Sequence, residues 1–245
     1  MTLTAAAIAV IWSIAPAAFA QNILQPGRGY YRYGQWSAGD MKAARANAAA
    51  ATTVPMWGYT IKATRDNNNY SGVMVGRSPF FHGARTTNIP AIIIPIKVNM
   101  PDGGVFDPGA TNGCIPGKNP LNLMQNSPIV QTTDFNFGGT DIGTAQYIDA
   151  FQRASFISEI SATGDRYHTV LSPVTTLSTV TINVPNGDGA TFPANENGFC
   201  ADFGLIKTTY WDNFAGGGEV GSLITSLSGQ GVNPKVLPIF FFTNV

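Results

Sequence analysis

From Val54 onward the apolar positions alternate along the chain. Trp57-x-Tyr59-x-Ile61 puts its large side chains on one face of an extended segment, and Tyr70-x-Gly72-Val73-Met74-Val75 follows the polar turn Arg65-Asp66-Asn67-Asn68-Asn69. Two such runs around an Asn-rich turn predict a hairpin. Ala91 to Val98 (AIIIPIKV) is continuously apolar and β-branched, which predicts a strand covered on both faces. Pro95 lacks an N–H, so this strand is expected at an edge or bulged there. Pro101-Asp102-Gly103-Gly104 predicts a turn into Val105-Phe106, and residues 107–128 a long loop that Cys114 pins. Tyr167–Leu171, Thr179–Val184 and Val236–Val245 read as further strands, with Pro185 to Gly189 as the turn after the second.

Helical spacing occurs twice in this region. Near 141–158, Tyr147, Ile148, Phe151 and Ala154 share one face, with Asp141 or Thr144 to cap the start and Gly164 beyond the end. Asp149 and Arg153 stand four apart on another face and can pair. Phe156 and Ile160 fall outside the stripe, so either the helix stops early or neighbours wrap it. Near 218–228, Val220, Leu223, Ile224 and Leu227 follow the i, i+3, i+4, i+7 rule, and Gly229, Gly231 and Pro234 end the segment. The fold expected for residues 54–245 is one β-rich α+β domain, its sheet mostly antiparallel, with two main helices.

The first 53 residues differ in character. Residues 1–20 carry no charged side chain, run apolar from Ala5 to Ile14, and end in the small-x-small triplet Ala18-Phe19-Ala20. That is the pattern of a secretory signal peptide, too short to remain as a membrane span. A leader of this kind ordinarily opens with Lys or Arg, and their lack points to an upstream start. Residues 21–53 read as a linker or arm, with an Ala-rich helix over Asp40 to Ala51. Tyr30, Tyr31, Tyr33 and Trp36 cluster there among glycines beside Arg28 and Arg32, where they either stack on sugars at the surface or tuck onto the body.

Charged residues make up only 11% of the 245, and the 14 basic side chains are balanced by 14 acidic ones. No basic face is available to neutralise a phosphate backbone, which excludes nucleic acid as a partner. No later segment offers some 18 uninterrupted apolar residues, so no stable membrane span is expected. The leader assigns the mature chain outside the cytoplasm: secreted, periplasmic or on the cell surface. In that compartment the lone pair Cys114 and Cys200 is expected as a structural disulfide, worth about 4 kcal/mol on the chain-entropy model.

Catalytic patterns are missing. Neither HExxH, GxSxG nor an aspartic dyad occurs, and His82 and His168 are the chain's two imidazoles, each read as a satisfied structural group. Gly216-x-Gly218-x-x-Gly221 matches the dinucleotide fingerprint formally, but it has neither a clear preceding strand nor a downstream acid. The Asn-rich turns suit ordinary turn chemistry better than calcium. Carboxylates for glycoside cleavage would come from Asp149, Glu159, Asp165, Asp202, Asp212 and Glu219, whose separations a sequence does not give.

Several segments together are similar to a group of secreted proteins of soil bacteria: Tyr70-Ser71-Gly72-Val73-Met74-Val75-Gly76, Ile93-Ile94-Pro95-Ile96, Phe106-Asp107-Pro108, Ser127-Pro128, and above all the run from Gly143 to Ala154 (GTAQYIDAFQRA). In longer members a strand similar to Leu237–Val245 precedes a zincin-like segment with a His-Glu metal-binding helix, where plant exordium-type proteins are distantly similar. The resemblance implies an exported, β-rich, non-catalytic N-terminal portion of a larger zincin-like protein, zinc being held only downstream. No catalytic, metal or cofactor residue transfers to this chain. An apolar final strand such as Val236–Val245 also suggests truncation, with apolar surface left for a missing C-terminal segment. The competing expectation is a self-contained binding module for polysaccharide or cell surface; a self-contained carboxylate hydrolase is the third.

Overall fold

The computed structural model describes residues 53–62, 66–79, 85–111, 113–157, 160, 166–211 and 218–245. The leader with Ala18 and Ala20, the arm with its Ala-rich helix, and Tyr30, Tyr31, Tyr33, Trp36 and His82 lie outside the described residues.

The domain is β-rich α+β. Its central strand is β3 (Arg85–Asn99), and alternation divides its side chains between two cores. Ile92, Ile94, Ile96 and Val98 enter one, closed by Leu223, Leu227 and Val232. Ile89, Ala91 and Ile93 enter the other, closed by Met124 and Val130. The expectation of cover on both faces holds, whereas that of an edge position does not. β7 (Tyr167–Thr176) and β8 (Val180–Asn183) pair along one side of β3, β11 (Leu237–Phe241) along the other. Pro95 is tolerated in this central place because of the gap between β7 and β8. Ile93 O accepts from Leu177 N at 2.9 Å, so residue 95, of the same parity, would aim its missing N–H at the gap.

Four short antiparallel pairings surround this sheet: β1 (Met56–Lys62) with β2 (Asn69–Val75), β3 with β4 (Val105–Phe106), β5 (Thr133–Phe137) with β6 (Thr140–Ala145), and β9 (Gly189–Phe192) with β10 (Phe203–Ile206). β7, β8 and β11 instead lie parallel to β3, because long crossovers bring them to it. The β1–β2 hairpin matches its prediction, and Asp66 in its turn accepts from Asn68 N and the Tyr70 hydroxyl.

Two helical expectations need correction. The long loop contains α1 (Pro120–Gln125), capped by Asn119, whose side chain accepts from Asn122 N at 2.7 Å. The helix expected over 141–158 is α2 (Tyr147–Ser155); residues 140–145 are strand β6, joined to β5 by Gly138-Gly139. Both glycines have positive φ, as a two-residue primed turn requires. Asp141 and Thr144 therefore cap nothing, and Gln146 occupies the N-cap. The helix does stop early, at Phe156, whose ring meets Trp57 edge-on at 5.2 Å.

Beyond these come the short helices α3 (Ala194–Asn197) and α4 (Thr208–Trp211), then α5 (Gly218–Ser226). α5 buries Leu223, and Leu227 follows just past its end; Val220 is half-buried and Ile224 exposed, so the predicted stripe is narrower than its spacing suggested. In β11, Ile239, Phe240 and Phe241 are buried and Leu237 half-buried; Phe242 beyond it is half-buried, its ring against Trp211. No described helix is long and apolar enough to cross a membrane.

Candidate functional site

α2 buries only part of its expected apolar stripe: Ile148 and Ala154 pack partly buried against the cores, whereas the two aromatic members do not. It buries Asp149, Ala150, Gln152 and Arg153, while Tyr147 is 50% exposed and Phe151 also lies at the surface. The cause is the strand beside it. β7 pairs with β3 along one side only, so the backbone groups on its other edge need partners. Gln146 and Asp149 supply them to Leu171 and Thr169, and Gln152, one step further along, meets the Tyr167 side chain instead. Gln146 Oε1 accepts from Leu171 N at 2.6 Å, and its Nε2 lies 3.1 Å from Leu171 O and 2.8 Å from Val130 O. Asp149 Oδ1 accepts from Thr169 N at 2.8 Å. Gln152 Oε1 lies 2.7 Å from the Tyr167 hydroxyl, which is equally close to Arg77 O. Three helical residues rise about 4.5 Å and two strand residues about 6.6 Å; the long glutamines absorb the mismatch. An apolar face cannot make these bonds, and so the polar face turns inward.

At the centre stands a charged cluster. Asp149, only 1% exposed, takes His168 Nδ1 at 2.7 Å through Oδ2. Arg153 Nη1 lies beside the same ring, 3.2 Å from Nδ1 and 3.4 Å from Nε2. A buried carboxylate on an imidazole is also how hydrolases orient a general base. Here a guanidinium also stands against the imidazole, which is 30% exposed, and the three side chains join α2 to β7. Asp149's partners are thus His168 and Thr169, not the Arg153 that helical spacing suggested; the reading of His168 as a satisfied structural group holds. Burial pushes the Tyr167 hydroxyl up to about 12, a hydrogen bond from Thr169 opposes this, and the Asp149 charge reinforces it. Gln152 Nε2 also donates to Val75 O at 2.7 Å, extending the seam to the β1–β2 hairpin.

The cysteines meet as expected. Cys114 and Cys200 form a disulfide with Cα atoms 4.9 Å apart, tying the 107–119 loop to the segment before β10. The other acids are dispersed or engaged: Asp202 accepts from Ala194 N, Asp188 pairs with Lys207, and Glu159, Asp165 and Asp212 lie outside the described residues, as does Gly216. Among the described residues no three His, Cys, Asp or Glu side chains are placed to hold a metal. Gln146 and Gln152 went unread in the sequence. Their signal was the spacing 146, 149, 152 opposite the strand parity 167, 169, 171.

Compared with protein-family models, with curated proteins and with solved structures, the chain matches none.

Proposed function

We propose that this chain is an exported, disulfide-tied, non-catalytic portion of a larger zincin-like extracellular protein, and that it supplies the sheet against which a metal-bearing segment folds. The observation that carries this reading is the contrast between the two sides of the central sheet. The outer edge of β7 is closed by Gln146 and Asp149. β11 is more apolar than β7 and packs into both cores, yet among the described residues no strand pairs with its outer edge. Dedicated polar groups closing one side, with no described strand pairing on the other, support continuation of the sheet there. The disulfide fits an oxidising compartment. In this reading zinc chemistry belongs to the proposed downstream segment, as the resemblance implies.

The test is the coding sequence beyond codon 245, followed by metal analysis of the whole gene product. A His-Glu helix and stoichiometric zinc are expected. A product lacking either refutes the assignment.

A second reading, the polysaccharide-binding module, draws on one specific surface. Phe137 at the β5–β6 turn is 69% exposed, and Tyr147 and Phe151 lie on the outward side of α2, with Phe135 edge-on to Tyr147. Such rings stack on sugars. Pull-down on insoluble polysaccharides, lost in Phe137→Ala and Tyr147→Ala, tests it.

A further inference from the structure

The β9–β10 hairpin has one face turned into the domain and one turned out. Gly204 faces inward so closely that a Cβ there would come within 2.8 Å of Phe106 and of Val245. Thr191, paired with Gly204, also faces inward and bonds Asp102. Strand parity then sends Ala190, Phe192, Phe203 and Leu205 outward, as two cross-strand pairs: Phe203 with Phe192, and Leu205 with Ala190. The two Phe rings stack at 5.0 Å, and Phe199 adds its edge to Phe203 at 5.0 Å. Leu205 and Phe199 are each 57% exposed. Apolar side chains on the solvent face of a hairpin, five in one contiguous group, are what an interaction surface looks like.

The geometry points to this face as a contact between two copies of the chain, related by a two-fold axis. None of the five side chains offers a hydrogen bond, so a glycan or a nucleic acid would leave its polar groups unanswered there; an apolar protein surface matches. The rim is self-complementary in charge: Lys207 and Asp188 stand together at one end of the hairpin, 3.3 Å apart, so a second copy can answer each charge with its opposite. With 14 charges of each sign, the chain sets no net repulsion against its own copy. The disulfide at Cys200, next to Phe199, holds the presenting segment before any partner arrives, which reduces the ordering cost of binding. A hairpin face is smaller than the roughly 800 Å² per partner of a standard interface, so the dimer belongs to the weak class, with Kd in the micromolar range.

Sedimentation equilibrium of the oxidised protein from about 10 μM to about 1 mM tests this. The expected result is a monomer–dimer equilibrium whose Kd rises at least about tenfold in Leu205→Asp, with the far-ultraviolet circular dichroism unchanged. Phe199→Ser, on the loop outside the strands, gives the same readout should the strand variant fail to fold. A native chain that is monomeric over the whole range overturns the proposal. So does a dimer that neither substitution weakens.

Discussion

Gln146 grips Leu171 with both ends of its side-chain amide: Oε1 accepts from the Leu171 N–H at 2.6 Å and Nε2 donates to the Leu171 carbonyl at 3.1 Å. One side chain thereby does for the edge of β7 what a neighbouring strand's backbone would do. Together with Asp149 on Thr169, it explains why α2 turns its polar side inward. It also explains why the N-cap side chain of α2 makes no capping bond: it is occupied elsewhere.

Gln146→Leu keeps the volume and removes the bonds, leaving the Leu171 N–H and C=O and the Val130 carbonyl buried without this partner. Each of the three unanswered groups costs about 1–3 kcal/mol, so a loss of at least about 3 kcal/mol is expected, against a total of about 5–15 for a domain. Denaturant titration measures the loss. Hydrogen exchange localises it, because the Leu171 amide should lose protection more than amides on the β3 side of the sheet. Unchanged protection at Leu171 would show that the amide grip does not secure the edge.

This seam marks where sequence pattern stopped being informative. Pattern was enough to find β3 and the β1–β2 hairpin, because both faces of β3 bury apolar side chains and the alternating Trp57 and Tyr59 are buried with Met74 in a core of their own. The same logic misplaced α2. Of its apolar stripe, Ile148 and Ala154 pack partly buried as expected, but Tyr147 and Phe151 stay outside, because the neighbouring strand edge presents backbone groups, which Gln146 and Asp149 answer and an aromatic ring cannot. The start was misplaced for a related reason: Gly138-Gly139, a hairpin signal, was overshadowed by helix-compatible residues after Gly143, which itself has φ of +83°. Cys114 and Cys200 were legible because the compartment argument needs no geometry. Gly76 was not, since its role depends on a strand more than ninety residues away.

Gly76→Ala tests the approach of that segment to β7. A Cβ there would lie 2.5 Å from Thr169 Oγ1 and 3.0 Å from its Cγ2, at a φ of +109°. The strained φ alone costs about 1–3 kcal/mol, and the clash adds to it because Thr169 is fully buried. Thr169→Ala removes the clashing atoms but not the φ penalty. The double variant should therefore be less destabilised than the sum of the single ones, by about 1 kcal/mol or more. Strict additivity in a double-mutant cycle would count against the contact.

The pH dependence of stability should fall away at both ends. Asp102 accepts from Thr191 N, from the Thr191 hydroxyl and from Gly104 N, which holds its carboxyl below the usual carboxylate value. A depressed folded pKa contributes stability above the unfolded value, and this is lost as pH falls through the folded one. Asp102→Asn should flatten that acid limb. Tyr59 and Tyr167 are both pushed to about 12, by burial above all. The folded state holds these protons more tightly than the unfolded state, so their contribution is complete below pH 10 and is lost as pH rises toward about 12. Thermal melts across the range, with ultraviolet titration of the phenols, follow both limbs. Tyrosines that all ionise together near the ordinary value would contradict the alkaline part.

Breaking the disulfide is the largest perturbation expected. Cys114 and Cys200 are 86 residues apart in sequence, and opening a loop of that length releases about 4 kcal/mol of chain entropy to the unfolded state. Both cysteines are exposed, so a small thiol reaches the bridge without prior unfolding, and reduction should proceed in native buffer. The reduced chain, or the Cys114→Ala/Cys200→Ala variant, should then unfold at a denaturant midpoint lower by an amount equivalent to that loss. The slope of the transition should also increase, since the opened chain exposes more surface when it unfolds. Local packing gives a second handle. A Cβ on Gly113 would lie 2.2 Å from the Cys200 carbonyl oxygen, so Gly113→Ala should disfavour closure and leave a larger free-thiol fraction after oxidation in a glutathione buffer. If the midpoint stays put on reduction, the loop is held instead by its own turns, of which the Leu121 N to Pro108 O bond at 2.9 Å is one. The bridge would then be a clasp on a region already ordered.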